Sequence, residues 1–216
     1  MIKNWDRTEK EPFFTRIEGR IRPSDKSVKE RINAAVFRLK AQQNKLELAN
    51  LKMQQRDREL FKKCIDAQLT KDTARASMYA EECAEIRKIA KVTLQCQLAI
   101  ERTTFRLEAV QEFGDIAASM LPVTGVIRSL RTQISGVMPE VSYELGLVNE
   151  TLNDIVVEAG EATGTMSKPE ATSQEATKIL AEAGAIAEQR MKEKFPDLPS
   201  PTAVMTDQER SPQSFL

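Results

Sequence analysis

Residues 24–69 read SDKSVKERINAAVFRLKAQQNKLELANLKMQQRDRELFKKCIDAQL, with neither proline nor glycine in the run. One line of positions recurs every seven residues through Ile32, Leu39, Leu46, Met53, Leu60 and Ala67; a second runs through Val28, Ala35, Gln42, Ala49, Arg56 and Lys63. The lines alternate at spacings of three and four, the pattern of a helix that lays a narrow seam against another helix. The second line turns polar toward its end, so the seam weakens there. At about 1.5 Å per residue the run makes a rod of roughly 65 Å. Ser24 and Asp25 offer its start.

The next segment answers that rod. Thr70-Lys71-Asp72-Thr73 is a short polar break in which Asp72 or Thr73 can cap a second helix. Its stripe is Tyr79, Glu82, Ile86, Ile89, Thr93, Cys96, Ile100, Thr103, Leu107, Val110 and Gly114. So short a link leaves the two helices antiparallel. A further apolar line on the second helix, Leu94, Leu98, Phe105 and Ala109, has no place in a two-helix seam. It calls for a later helix or a neighbouring molecule.

Pro122 with Gly125 ends or kinks the second helix, and residues 123–137 make a shorter one. Pro139 suits the first turn of a fourth, bearing Val141, Leu145, Val148, Leu152, Ile155 and Val156. Residues 159–169 read as a flexible linker. Ser167 to Glu170 resembles a capping box for an alanine-rich helix over 170–194. Its thin stripe of Ala176, Ile179, Ala183 and Ile186 buries too little to dock tightly. The expected fold is all-α: an N-terminal segment (1–23), a helical core (24–158) built on a long antiparallel hairpin (about 24–117), the linker, the C-terminal helix, and a tail from 195 to 216 read as disordered.

Composition agrees. Of 216 residues 30% are charged and only 5% aromatic, a balance that favours long helices over sheet. The net charge is zero but unevenly spread. Residues 1–110 carry 24 Lys/Arg against 16 Asp/Glu; residues 111–216 carry 8 against 16. A basic half suits an anionic partner, and an acidic half can fold back on it. Cys64, Cys83 and Cys96 fit no zinc spacing and read as buried reduced thiols of a cytosolic protein. No apolar run approaches the length of a membrane span, and charges at Lys3, Asp6 and Arg7 break any signal-peptide pattern. With no histidine, no phosphate-binding loop and no pocket-forming constellation, no catalytic set, metal site or cofactor is expected.

The order of elements resembles the ESCRT-III family: a basic hairpin, two shorter helices, an acidic linker, a weak fifth helix. Tyr79-Ala80-Glu81-Glu82 followed by Ile86-Arg87-Lys88 looks like the family's run near the start of its second helix. Trp5 with Phe13-Phe14-Thr15-Arg16-Ile17 looks like the opening of its archaeal cell-division members. The resemblance covers roughly residues 1–200 and implies a subunit that polymerises with itself and with paralogues on membrane, at the division site, peripheral and cytoplasmic. Phe195-Pro196-Asp197-Leu198-Pro199 is similar to the family's type-2 MIT-interacting motif. Its spaced prolines hold an extended backbone, so that Phe195 and Leu198 anchor in a groove while Pro196 and Pro199 pack flat. By resemblance that groove belongs to the MIT domain of an AAA+ ATPase.

Arg16, Arg20, Arg22, Lys29, Arg31, Arg38, Lys45 and Lys52 make the first third basic, and each such side chain near an anionic membrane contributes about 1 kcal/mol. Nucleic acid is the less favoured anion, since no helix-turn-helix, finger or RNP pattern is present. Trp5 either dips into the lipid interface or packs on the hairpin. Leu94, Leu98 and Phe105 are the expected self-assembly edge. A static coiled-coil adaptor, needing only the hairpin, is the alternative.

Overall fold

The structure is a computed structural model and describes residues 27–113, 116–163 and 169–195. These hold five helices and no strand: α1 (Val28–Leu69), α2 (Thr73–Phe113), α3 (Ile116–Ile134), α4 (Pro139–Thr163) and α5 (Pro169–Lys194). The all-α hairpin is as expected.

The N-cap of α1 is Ser27, not the Ser24–Asp25 pair. The Ser27 hydroxyl accepts from the Glu30 amide at 3.3 Å, and the Glu30 carboxylate accepts from the Ser27 amide at 2.9 Å. Ser27→Ala removes one half of this reciprocal cap. It is expected to cost about 1 kcal/mol, measurable as a lowered denaturation midpoint. At the other end Lys71 takes a left-handed conformation (φ 57°), and the Asp72 carboxylate accepts from the Arg75 amide at 3.1 Å. The chain thus reverses within three residues.

The hairpin seam departs from the strict repeat. Ile32, Ala35, Leu39, Gln42 and Leu46 are buried as read, but beyond Leu46 the second line moves one residue on, to Asn50, Asp57 and Cys64. Arg56 and Lys63 face solvent. An α-helix drifts about 20° per heptad from a strict seven-residue repeat. The consecutive four-residue steps Gln42–Leu46–Asn50 take up that drift and keep one face on α2. On α2 the matching shift seats Ala76, Cys83 and Ala90 in the seam and leaves Glu82 exposed. The polar residues brought inside find partners. The Asn50 amide donates to Gln97 at 3.1 Å, and Asp57 meets Arg87. Such pairs fix hairpin register.

Pro122 neither ends nor kinks α2. It lies buried inside α3, which begins at Ile116; α2 ends at Phe113. The Thr124 hydroxyl donates to the Leu121 carbonyl at 2.9 Å beside it. Likewise α4 runs on to Thr163, so residues 159–163 are helical rather than linker. Helices α3 and α4 pack on each other, α3 on α2 and α4 on α1. They share one core: Val126, Ile127, Leu130 and Ile134 of α3 with Val141, Leu145, Val148 and Leu152 of α4.

The largest departure is α5. It docks along α2 and α3. Its buried stripe is Ala176, Ile179, Ala183 and Ala187, and Ile186 is exposed. A Cβ on Gly125 would lie 3.3 Å from the Ala176 Cβ. Small residues on both helices let α5 settle closer than its sparse large side chains suggest.

Candidate assembly and docking surfaces

Three ion pairs tie α5 to α2. Lys91 meets Glu188 at 2.7 Å, Arg106 meets Glu175 at 2.5 Å, and Arg102 meets Glu182. The cations rise in number as the acids fall, so the helices run antiparallel. The Lys91 ammonium, by hydrogen bond and charge, holds the Glu188 carboxyl below the usual carboxylate range, with Lys192 adding. A lowered carboxylate contributes stability above its unfolded pKa of about 4.3 and loses it as pH falls through the lower folded value. All three pairs are partly solvated, so solvent screening leaves each of them weak.

This face decides the fate of the expected assembly edge. Leu94 and Leu98 are buried in the common core, whereas Phe105 is 62% exposed and Ala109 is exposed. Part of the line is buried in a core it shares with the α5 stripe, and the rest is open.

At the far end of α5 the Phe195 amide donates to the Met191 carbonyl at 2.9 Å, so Phe195 continues the last turn. Only 7% exposed, it places its ring 5.8 Å from the Arg87 guanidinium carbon. The Phe61 ring is 6.0 Å from the same carbon. Arg87 also forks onto Asp57, with Nε to Oδ1 at 2.7 Å and Nη2 to Oδ2 at 3.0 Å. One guanidinium therefore joins α1, α2 and the end of α5. It combines a two-toothed ion pair with ring contacts of about 0.5–2 kcal/mol each. Pro196, Leu198 and Pro199 lie outside the described residues.

Of the expected basic contacts, Trp5, Arg16, Arg20 and Arg22 also lie outside the described residues. Lys29, Arg38, Lys45 and Lys52 are exposed on α1, and none pairs with an acid among the described residues. Arg31 does not join them: its Nη1 donates to Glu158 of α4 at 2.5 Å, and the side chain is mostly buried. It is a tie between helices, not a free cation.

The thiols sit in the seam. Burial, with the Asp57 charge second, raises Cys83 to about 11, and burial alone raises Cys96 to about 12 and also lifts Cys64. At neutral pH all three are protonated and poor nucleophiles. No group of metal-ligating side chains converges among the described residues, and no described helix is long and apolar enough to cross a membrane.

Asp57, Phe61, Arg102, Arg106 and the acids of α5 went unread in the sequence. Asp57 had a signal, since it falls on the advanced heptad line four residues before Phe61. The cations of α2 had none, because which acids they meet depends on where α5 lies.

A 192-residue stretch is 47% identical to Cell division protein B1 of Sulfolobus acidocaldarius, covering 89% of each chain. A 182-residue stretch is 34% identical to Cell division protein B of the same organism, covering 82% of this chain and 70% of that protein. No family model matches the chain, and no solved structure matches it.

Proposed function

Since this chain belongs to the archaeal family of cell division proteins B and B1, we propose that it is an ESCRT-III-like filament subunit acting on membrane in cell division. The observation that supports this reading best is the detachable fit of α5. Three acids of α5 lie on α2 cations, its buried stripe shares a core with Leu94 and Leu98, and the helix is held by small residues and partly solvated ion pairs. Release of α5 uncovers an apolar edge on which a neighbour can add. Opening would bring α3 into line with α2, and polymerisation would hold the open state by mass action. The hinge does not lie at Pro122–Gly125, since α3 runs unbroken through both of those residues.

Membrane attachment is assigned to the start of the chain: Trp5, Arg16, Arg20 and Arg22 together with Lys29. The partners in this reading are paralogues of the same family, an anionic lipid surface, and an AAA+ ATPase whose MIT domain takes Phe195, Pro196, Leu198 and Pro199 once the end of α5 leaves Arg87 and frees the Phe195 ring. Sedimentation with anionic vesicles tests the assembly: pelleted polymer is the expected result, and a persistent monomer, unbound at low salt, counts against it. Titration of a peptide spanning residues 190–203 against the cognate MIT domain tests the tail. Joint Phe195→Ala and Leu198→Ala replacement should abolish that binding. A peptide whose affinity survives the double change would remove the motif from the mechanism.

A further inference from the structure

Helix α1 carries an apolar stripe that has no partner among the described residues. Phe37 is 75% exposed, and Leu48 and Leu51 are more than half exposed. Arg38, Lys45 and Lys52 run beside it at intervals of seven, unpaired among the described residues. Helix α4 carries a face of the opposite sign. Tyr143 and Val157, 66% and 59% exposed, bracket Glu150 and Asp154, which are exposed and likewise unpaired among the described residues. Phe37 and Leu51 are fourteen residues apart, as are Tyr143 and Val157. At about 1.5 Å per residue both pairs of anchors span roughly 21 Å. Glu150 and Asp154 also stand one helical turn apart, where like charges repel. A row of cations laid against them would relieve that cost.

We propose that the outer face of α1 in one copy docks on the outer face of α4 in a second copy of this chain. The interface deepens the assembly reading above and rests on it. The two faces differ, so the contact is heterologous: each added copy leaves one α1 face and one α4 face free, and the row stays open-ended. Both faces are already displayed with α5 docked, so this contact precedes any opening. A lipid surface would satisfy the α1 cations. It would repel the acidic face of α4 and give no reason for the matched spans.

The test is sedimentation velocity on the full chain without lipid, at about 50 mM salt, where screening is weak. Two surface double variants are compared, Lys45→Glu with Lys52→Glu and Glu150→Lys with Asp154→Lys, each checked for helix content. Each variant alone is expected to weaken self-association about tenfold or more. An equimolar mixture of the two is expected to restore it, because every acidic α1 then finds a basic α4 and the reverse. Variants that assemble as the parent does overturn the interface and leave the filament reading standing. So does a mixture that fails to recover, or an assembly that stops at a dimer. A parent chain that stays monomeric without lipid overturns the interface, and one that also stays monomeric with anionic vesicles overturns the filament reading itself.

Discussion

Asp57→Ala is expected to lower the stability of the folded chain by about 3–5 kcal/mol, the cost of breaking one side of a buried ion pair. Asp57 is 1% exposed and sits on the seam between α1 and α2. Its carboxylate takes both teeth of the Arg87 fork. Without it the guanidinium keeps its ring contacts but holds an uncompensated charge at the hairpin interface, next to the buried Cys83 thiol, whose Sγ lies 3.8 Å from the Asp57 carbonyl. A domain of this kind has about 5–15 kcal/mol in hand, so the loss should be plain in thermal and denaturant melts. Replacing both partners with leucine and methionine, Asp57→Leu with Arg87→Met, should recover most of it, since no charge is then stranded. An additive double variant would show that the two residues act independently and that the join is not an ion pair in solution.

The second large effect is expected from Ile179→Asp. Three partly solvated ion pairs are screened and contribute little, whereas burying an isoleucine side chain is worth about 1.5–3 kcal/mol and stranding a carboxylate in its place costs several more. Ile179 is 2% exposed, at the centre of the α5 stripe. The change should lift α5 from α2 and α3 while leaving the core of α1–α4 folded. Limited proteolysis would then cut within 169–194 at protease concentrations that spare the parent, and an apolar dye would report Leu94 and Leu98. Reversing Glu175, Glu182 and Glu188 to lysine should give a weaker release that fades with salt, because it acts only through screened charge. If Ile179→Asp leaves residues 169–194 as protected as in the parent, α5 is held by something other than this stripe, and the release step loses its basis.

Which parts were open to sequence reasoning follows from how local each signal is. The lengths of α1 and α2 and their reversal are written in a seven-residue rhythm and a link from Thr70 to Thr73. Within that rhythm the seam past Leu46 was misplaced by one residue, because a strict repeat ignores the drift of a real helix. Pro122 with Gly125 reads as an end or kink of the second helix because a proline deters a helix on average. Here it lies buried in α3, where packing outweighs its local cost. The α5 stripe looked too thin to dock because its alanines were weighed by size. Small side chains also allow close approach, as Gly125 and Ala176 show.

The sequence by itself determined that this is a chain of long helices, basic in its first half and acidic in its second, with an apolar edge left over on α2. Those properties are sums over neighbouring residues, set by periodicity and composition. Only the tertiary structure decided that Leu94 and Leu98 are buried in a core shared with α5 while Phe105 stays open. It alone ties Arg31 to Glu158 and lays Phe195 on Arg87. These contacts join residues distant in the chain, each worth little alone, and their outcome depends on how closely two helices approach, which no local pattern records.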